Sequence, residues 1–173
     1  GRITAISMGP PSAESILRRA LALGVDVAIL LSDRAFGGAD TLATSHVLAS
    51  AIAKLGEQEP VDIVLCGKQT IDGDTAQVGP GIACRLRFSQ LTLVDRIIEL
   101  HKEKRLLVVR RALEDRYEII ESKLPALITV VREINVPRYP SVPGRLEAAD
   151  VKLPVWNNDN LKLDPAMIGL NGS

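Results

Sequence analysis

Apolar positions along the chain alternate between short continuous runs and helically spaced stripes. Ile3, Ala5, Ile6 and Met8 form a short apolar strand that ends at Gly9-Pro10-Pro11. Ser12 is placed to cap a helix. Ala13, Ile16, Leu17, Ala20 and Leu21 then repeat at helical spacing, and Gly24 stops the helix. Residues 25–31 are almost wholly apolar, the pattern of a parallel strand covered on both faces. A polar, glycine-rich loop spans 32–40. A second helix is predicted over 41–55, with Leu48, Ala51, Ile52 and Leu55 on one stripe. Residues 61–66 read as a third buried strand, followed by a loop and a helix predicted over 75–87.

Strand and helix alternate three times, which is the pattern of an α/β fold. Right-handed crossovers make such a sheet mainly parallel and doubly wound. The pattern changes at residue 92. Residues 92–100 and 105–110 are β-rich and flank the polar turn 101–104, predicting a hairpin. Two more strands are predicted at 116–120 and 126–131, and a short helix over the last half of 138–149. Residues 150–173 hold no sustained period, yet carry Val155, Trp156, Leu161, Leu163, Met167, Ile168 and Leu170. That is too much apolar surface for a solvated tail. The sequence therefore predicts an α/β domain over 1–149 and a C-terminal arm over 150–173 that packs on a partner subunit. Because Gly1 leads directly into a strand pattern, the chain is expected to lack an upstream strand.

Composition narrows the function classes. Lys plus Arg and Asp plus Glu both total 21, so bulk charge provides no attraction to nucleic acid or an anionic membrane. Aromatic residues make up 3%, too few for base-stacking platforms. No run approaches the roughly 20 apolar residues of a membrane span. Cys66 and Cys84 fall in a strand and a helix, where core packing is expected, and unpaired thiols suit a reducing cytoplasm. His46 and His101 stand alone, no metal-ligand spacing is present, and no nucleophile–base set stands out. The basic residues Lys102, Lys104, Arg105, Arg110 and Arg111 are expected on the solvated edge of the hairpin.

The stretch richest in candidate chemistry is Cys66-Gly67-Lys68-Gln69-Thr70-Ile71-Asp72-Gly73-Asp74-Thr75-Ala76-Gln77-Val78-Gly79. It leaves the C-terminal end of a parallel strand and opens a helix, where open α/β sheets bind ligands. Gly67, Gly73 and Gly79 would permit close backbone approach or positive φ. Asp74 and Gln77 have capping-box spacing, which predicts a helix start there. Pro80 would then kink that helix. The loop is neither a P-loop nor a G-x-G-x-x-G fingerprint. An adenine nucleotide or another phosphate ligand fits it, and so does a plain strand-to-helix connection.

Five segments together carry a family resemblance: Ala5 to Pro10, Arg19 to Asp26, Val61 through Gly79, Lys123-Leu124-Pro125-Ala126, and Pro137-Arg138-Tyr139-Pro140. With them the chain resembles the β subunit of electron-transfer flavoproteins over nearly its whole length. That resemblance implies an adenine-nucleotide-binding fold related to universal stress proteins, and a heterodimer whose α subunit holds the redox FAD. It implies a second nucleotide on this chain, AMP in the classical branch and FAD in the electron-bifurcating branch. Residues 66–79 of the loop, apart from Gly73, would bind it, with Met8 and Gly9 at the adenosine end. Tyr139, Val142 and Pro143 would meet partner proteins: the α subunit, acyl-CoA or other dehydrogenases, and, in the bifurcating branch, systems driven by NADH. Apart from the resemblance, Trp156 is the expected anchor of the apolar arm on a partner subunit, because its large ring buries the most area there. No catalytic residue of its own is implied. The loop sequence and the Gly169-Leu170-Asn171-Gly172-Ser173 ending look closer to the bifurcating branch. The rival reading is an ATP- or AMP-binding regulatory domain of the universal-stress type, disfavoured by the hairpin and the arm.

Overall fold

The computed structural model describes residues 1–172, so the last residue of the expected arm, Ser173, lies outside the described residues. Two compact units are present: residues 1–40 with the segment from Pro137 onward, and residues 41–136.

In the first unit, β1 (Thr4–Met8) pairs in parallel with β2 (Val27–Leu31), from Thr4 opposite Val27 to Met8 opposite Leu31. Between them runs α1 (Glu14–Ala22), which ends where Gly24 takes φ +100°. Ser12 does not cap this helix. It sits inside a 3₁₀ turn, Pro11–Ala13, and the N-cap of α1 is Ala13, with no side-chain bond. Leu17 of α1 packs with Ala28 and Leu30 of β2 and with Leu153, which the chain supplies on its return.

The second unit opens with α2 (Thr41–Gly56), rich in small residues. Ala43, Ser45, Val47, Ala49, Ala51 and Ile52 are all buried, so this helix is enclosed on more than the one predicted stripe, while Leu48 and Leu55 are only half-buried. Next come β3 (Ile63–Gly67), α3 (Val78–Leu86), β4 (Ser89–His101), β5 (Leu106–Ala112), β6 (Tyr117–Lys123) and β7 (Ala126–Val130). Their sheet has the order β3-β7-β4-β5-β6. The β3, β7 and β4 neighbours are parallel, whereas β4-β5-β6 is antiparallel and begins with the predicted hairpin. Leu91, Val94, Leu107, Val109, Ala126 and Ile128 form its core. The basic cluster is not simply a solvated edge. Arg110 forks onto the buried carboxylate of Asp95, Arg111 pairs with Glu118, and Arg105 pairs with Asp62.

The chain then returns to the first unit. Ser141 caps α4 (Val142–Asp150), its Oγ accepting the Gly144 N–H at 3.1 Å. β8 (Val155–Trp156) adds to β2 in parallel, with Trp156 opposite Leu31. A capping box of Asn157 and Asn160 starts α5 (Asn158–Leu161). Much of the predicted arm is thus short elements on its own unit, with Leu153 and Ile168 buried. Asp33 fastens it by accepting the N–H of Asn158 at 2.9 Å. The N–H groups of Ala35 and Asn158 hold the Asp33 carboxyl below its ordinary range.

The architecture is a mixed α/β fold with parallel-rich sheets, as the apolar pattern predicts. Among the described residues it consists of a three-stranded and a five-stranded sheet rather than one continuous sheet. No described helix is long and apolar enough to cross a membrane.

Candidate functional site

The loop between β3 and α3 leaves the carboxyl ends of the parallel strands β3 and β7, held there by the Lys68 N–H bonded to the Val130 carbonyl at 2.9 Å. From Lys68 to Thr75 every residue is exposed, and Ile71 is fully so. Thr70 organises the tip. Its carbonyl accepts the Asp74 N–H at 3.2 Å and its hydroxyl oxygen accepts the Gly73 N–H at 3.3 Å. The Thr70 hydroxyl, with backbone N–H groups at Asp72 and Gly73, keeps the Asp72 carboxyl below its usual range. The Gln69 side-chain amide donates to the Asp74 carboxylate.

The loop's conformational demands fall on different residues from those predicted. Gly67, Gly73 and Gly79 all avoid positive φ, whereas Asp74 and Ala76 adopt it at +50° and +54°. α3 starts at Val78, not at Asp74 or Thr75, and its N-cap Gln77 makes no side-chain capping bond. The Asp74–Gln77 spacing is therefore not a capping box. Pro80 falls in the first turn of α3, where its missing N–H has no intrahelical partner to lose. No kink is needed. The first-turn N–H groups of Val78 and Gly79 carry the positive end of the helix dipole into the loop.

Gly79 has a separate role: close packing. A Cβ there would lie 2.6 Å from Cγ2 of Thr129 and 2.9 Å from Sγ of Cys66. Thr129 and Cys66 are register partners across β7 and β3, so α3 sits directly on the two strands at this point. Burial pushes the Cys66 thiol up to about 11, which leaves it a neutral packing group rather than a nucleophile. Cys84, expected in the core, is exposed. The buried residues of α3 are Gly79, Ile82 and Ala83, and position 84 lies off that face.

Residues outside the predicted set also touch the loop. The Thr41 hydroxyl donates to Oε1 of Gln77 at 3.2 Å. α2 and α3 are clamped by Arg85, whose guanidinium reaches Ser45 Oγ at 3.3 Å and the Leu42 carbonyl at 3.4 Å. Partial burial, and after it the charge of Arg85, lowers the pKa of His46. Lys68 borders a groove of about 580 Å³ together with Leu93, Leu113 and Val131. The other predicted residues belong to the first unit. Met8 ends β1, and the Gly9 N–H bonds to the Leu31 carbonyl at 3.0 Å. Tyr139, Val142 and Pro143 are exposed around the start of α4, and Trp156 is half-buried in β8. Among the described residues there is no cluster of three or more His, Cys, Asp or Glu able to hold a metal.

These features define an α/β protein with an exposed loop and a helix N-terminus at the carboxyl end of its parallel strands. The electron transfer flavoprotein domain model matches residues 1–161, and the chain belongs to that family. It is 51% identical over 171 residues to the electron transfer flavoprotein subunit beta of Clostridium acetobutylicum, covering 99% of this chain and 63% of that protein. It is 48% identical over 171 residues to the caffeyl-CoA reductase-Etf complex subunit CarD of Acetobacterium woodii, covering 99% of this chain and 63% of that subunit. It is 48% identical over 174 residues to the protein FixA of Azotobacter vinelandii, covering all of this chain and 62% of FixA. The chain thus spans less than two thirds of the length of these curated relatives.

Proposed function

We propose that this chain is the nucleotide-binding part of an electron-transfer flavoprotein β subunit. Its site is the Gly67–Gly79 loop, and it works with an α subunit in the cytoplasm. The observation that carries this reading is the loop's position. An exposed, backbone-rich segment with one cation, Lys68, leads into a helix N-terminus at the carboxyl end of the β3 and β7 strands. Such a site binds phosphate through N–H groups and the helix dipole. A Cβ built on Gly67 meets nothing within 4 Å, so the backbone there is open to close approach by a ligand. These residues fit a nucleotide diphosphate.

The ligand we favour is FAD rather than AMP. The loop has Gly73 between Asp72 and Asp74, and a third carboxylate there would sit against a pyrophosphate. Two unit charges a few Å apart repel by roughly 1–4 kcal/mol between water-like and surface-like dielectrics. When bound, FAD supplies the one- and two-electron chemistry. The chain's own residues would hold and orient it: the backbone N–H groups of Val78 and Gly79 with the Lys68 ammonium would bind its phosphates, and Gln77 stands at the helix entrance. Exposed Tyr139, Val142 and Pro143 at the start of α4 are the surface proposed to meet acyl-CoA or other dehydrogenases, and Trp156 the anchor toward the α subunit. With FAD on both subunits, the assembly would divide electron pairs drawn from NADH. The test is nucleotide stoichiometry in the purified heterodimer. Two FAD per heterodimer supports the reading, one FAD with one AMP replaces it by the classical carrier, and no adenine nucleotide on this subunit overturns it.

A further inference from the structure

Two features of the second unit meet at one buried residue. The first is a bulge in β4. Pairing of β4 with β7 slips between Leu91 and Val94, and Leu93 takes φ +60°. A branched residue in the left-handed region is a strained one, and such strain persists only where the surroundings fix it. Here they do so from two sides. The Leu93 N–H donates to the Thr129 hydroxyl oxygen at 3.2 Å. Arg111 donates to the Thr92 carbonyl at 2.7 Å and to its Oγ1 at 2.9 Å.

The second feature is the seat of α3. Gly79 lies so close to Thr129 that a Cβ would stand 2.6 Å from the threonine methyl. Thr129 is 2% exposed, so neither its methyl nor its hydroxyl has room to turn aside. Serine at this position would keep the hydroxyl and lose the seat. Valine would keep the seat and lose the hydroxyl. Only threonine fills both places at once.

We propose that Thr129 is a positioning residue for the nucleotide loop, its methyl setting the depth of the first turn of α3 at Gly79 while its hydroxyl pins the β4 bulge. It has no contact with ligand in this role and acts through Gly79 and the N–H groups next to it. The inference rests on the reading of the Gly67–Gly79 loop as a phosphate site.

The test is a mutant cycle in the intact protein as it assembles with its partner, with FAD and AMP content and FAD dissociation measured beside thermal midpoints. Thr129→Ser should weaken FAD about three- to tenfold, the loss expected of one buried methyl, and leave exchange of the Leu93 amide protected. Thr129→Val should keep FAD affinity and lose that protection. Gly79→Ala should lose FAD, and Thr129→Ser combined with Cys66→Ala in the same chain should restore part of it, because both atoms within 3.0 Å of the added Cβ are then gone, whereas Cys66→Ala without Thr129→Ser should not. A complementary rescue of this kind is not produced by general destabilisation. FAD binding unchanged in Thr129→Ser, or no rescue of Gly79→Ala, overturns this inference while leaving the phosphate site in place. A parent protein without nucleotide on this subunit overturns both.

Discussion

Asp95 is a buried carboxylate that ties the stability of the second unit to pH. Its side chain is 6% exposed and meets Arg110 through three contacts of 2.6–3.2 Å, while Arg110 lies over the Tyr117 ring at 4.4 Å. The Arg110 guanidinium holds the Asp95 carboxyl below its ordinary range, against the opposing effect of burial. A depressed folded value means that the pair's stabilisation is complete above the ordinary carboxylate range. It is lost as pH falls through the folded value. Protonating Asp95 would leave Arg110, over the Tyr117 ring, without its counter-charge. We expect the thermal midpoint to fall steeply in acid. In Asp95→Asn it should be lower at neutral pH and less sensitive to acid. Parallel acid limbs for the two proteins would show that another carboxylate controls the transition.

At the scale of elements, the longer strands were legible, whereas the short β8 inside the arm and the loop between β3 and α3 were not. Val27–Leu31 announces itself because a parallel strand buried on both faces must be continuously apolar, and Ala126–Val130 is apolar but for Thr129. The β4-β5 hairpin is marked by its polar turn. The start of α3 was hidden because Asp74 and Gln77 imitate a capping box, while the actual N-cap contributes no side-chain bond. The bulge at Leu93 has no glycine to betray it, since its conformation is imposed by Thr129 and Arg111 from distant parts of the sequence. The loop inverts the usual expectation. Ala76 takes the left-handed conformation, and Gly67 sits where an added Cβ meets nothing. For an L-residue the left-handed region costs roughly 1–2 kcal/mol, of which glycine's extra chain entropy offsets about 0.5–1. Ala76→Gly should therefore raise the unfolding free energy by about 0.5–1 kcal/mol, and Gly67→Ala by a similar ~0.4–1 kcal/mol through the unfolded chain. Chemical denaturation measures both. A loss of stability in Ala76→Gly would mean that the loop's conformation in solution differs at Ala76.

At the scale of the whole molecule, the open edges of the sheets are treated unequally. In the five-stranded sheet β6 is one edge, and its seven residues include Glu118, Glu121 and Lys123. The other edge is β3, Ile63-Val64-Leu65-Cys66-Gly67, without a charge or a proline, and Leu65 is 60% exposed. β1, an edge of the three-stranded sheet, is Thr4-Ala5-Ile6-Ser7-Met8 and equally uncharged. The sequence showed these strands to be apolar, as interior strands are; that each is an edge among the described residues depends on strand order, which periodicity does not encode. Charges on an edge strand oppose pairing with another chain, and an uncharged apolar edge invites it. We therefore expect residues 1–173, expressed alone, to self-associate as concentration rises, with β3 and β1 as the contacting strands. Light scattering across a dilution series reads this directly. Leu65→Lys should shift the population toward monomer, since a like-charged lysine would be brought face to face wherever two β3 edges meet. Ile119→Lys, on the already charged β6 edge, should leave the distribution unchanged. Equal effects of the two substitutions would point to general surface hydrophobicity instead, because Ile119 is as exposed as Leu65, at 61%. A monomer at every concentration would show that neither uncharged edge pairs in solution.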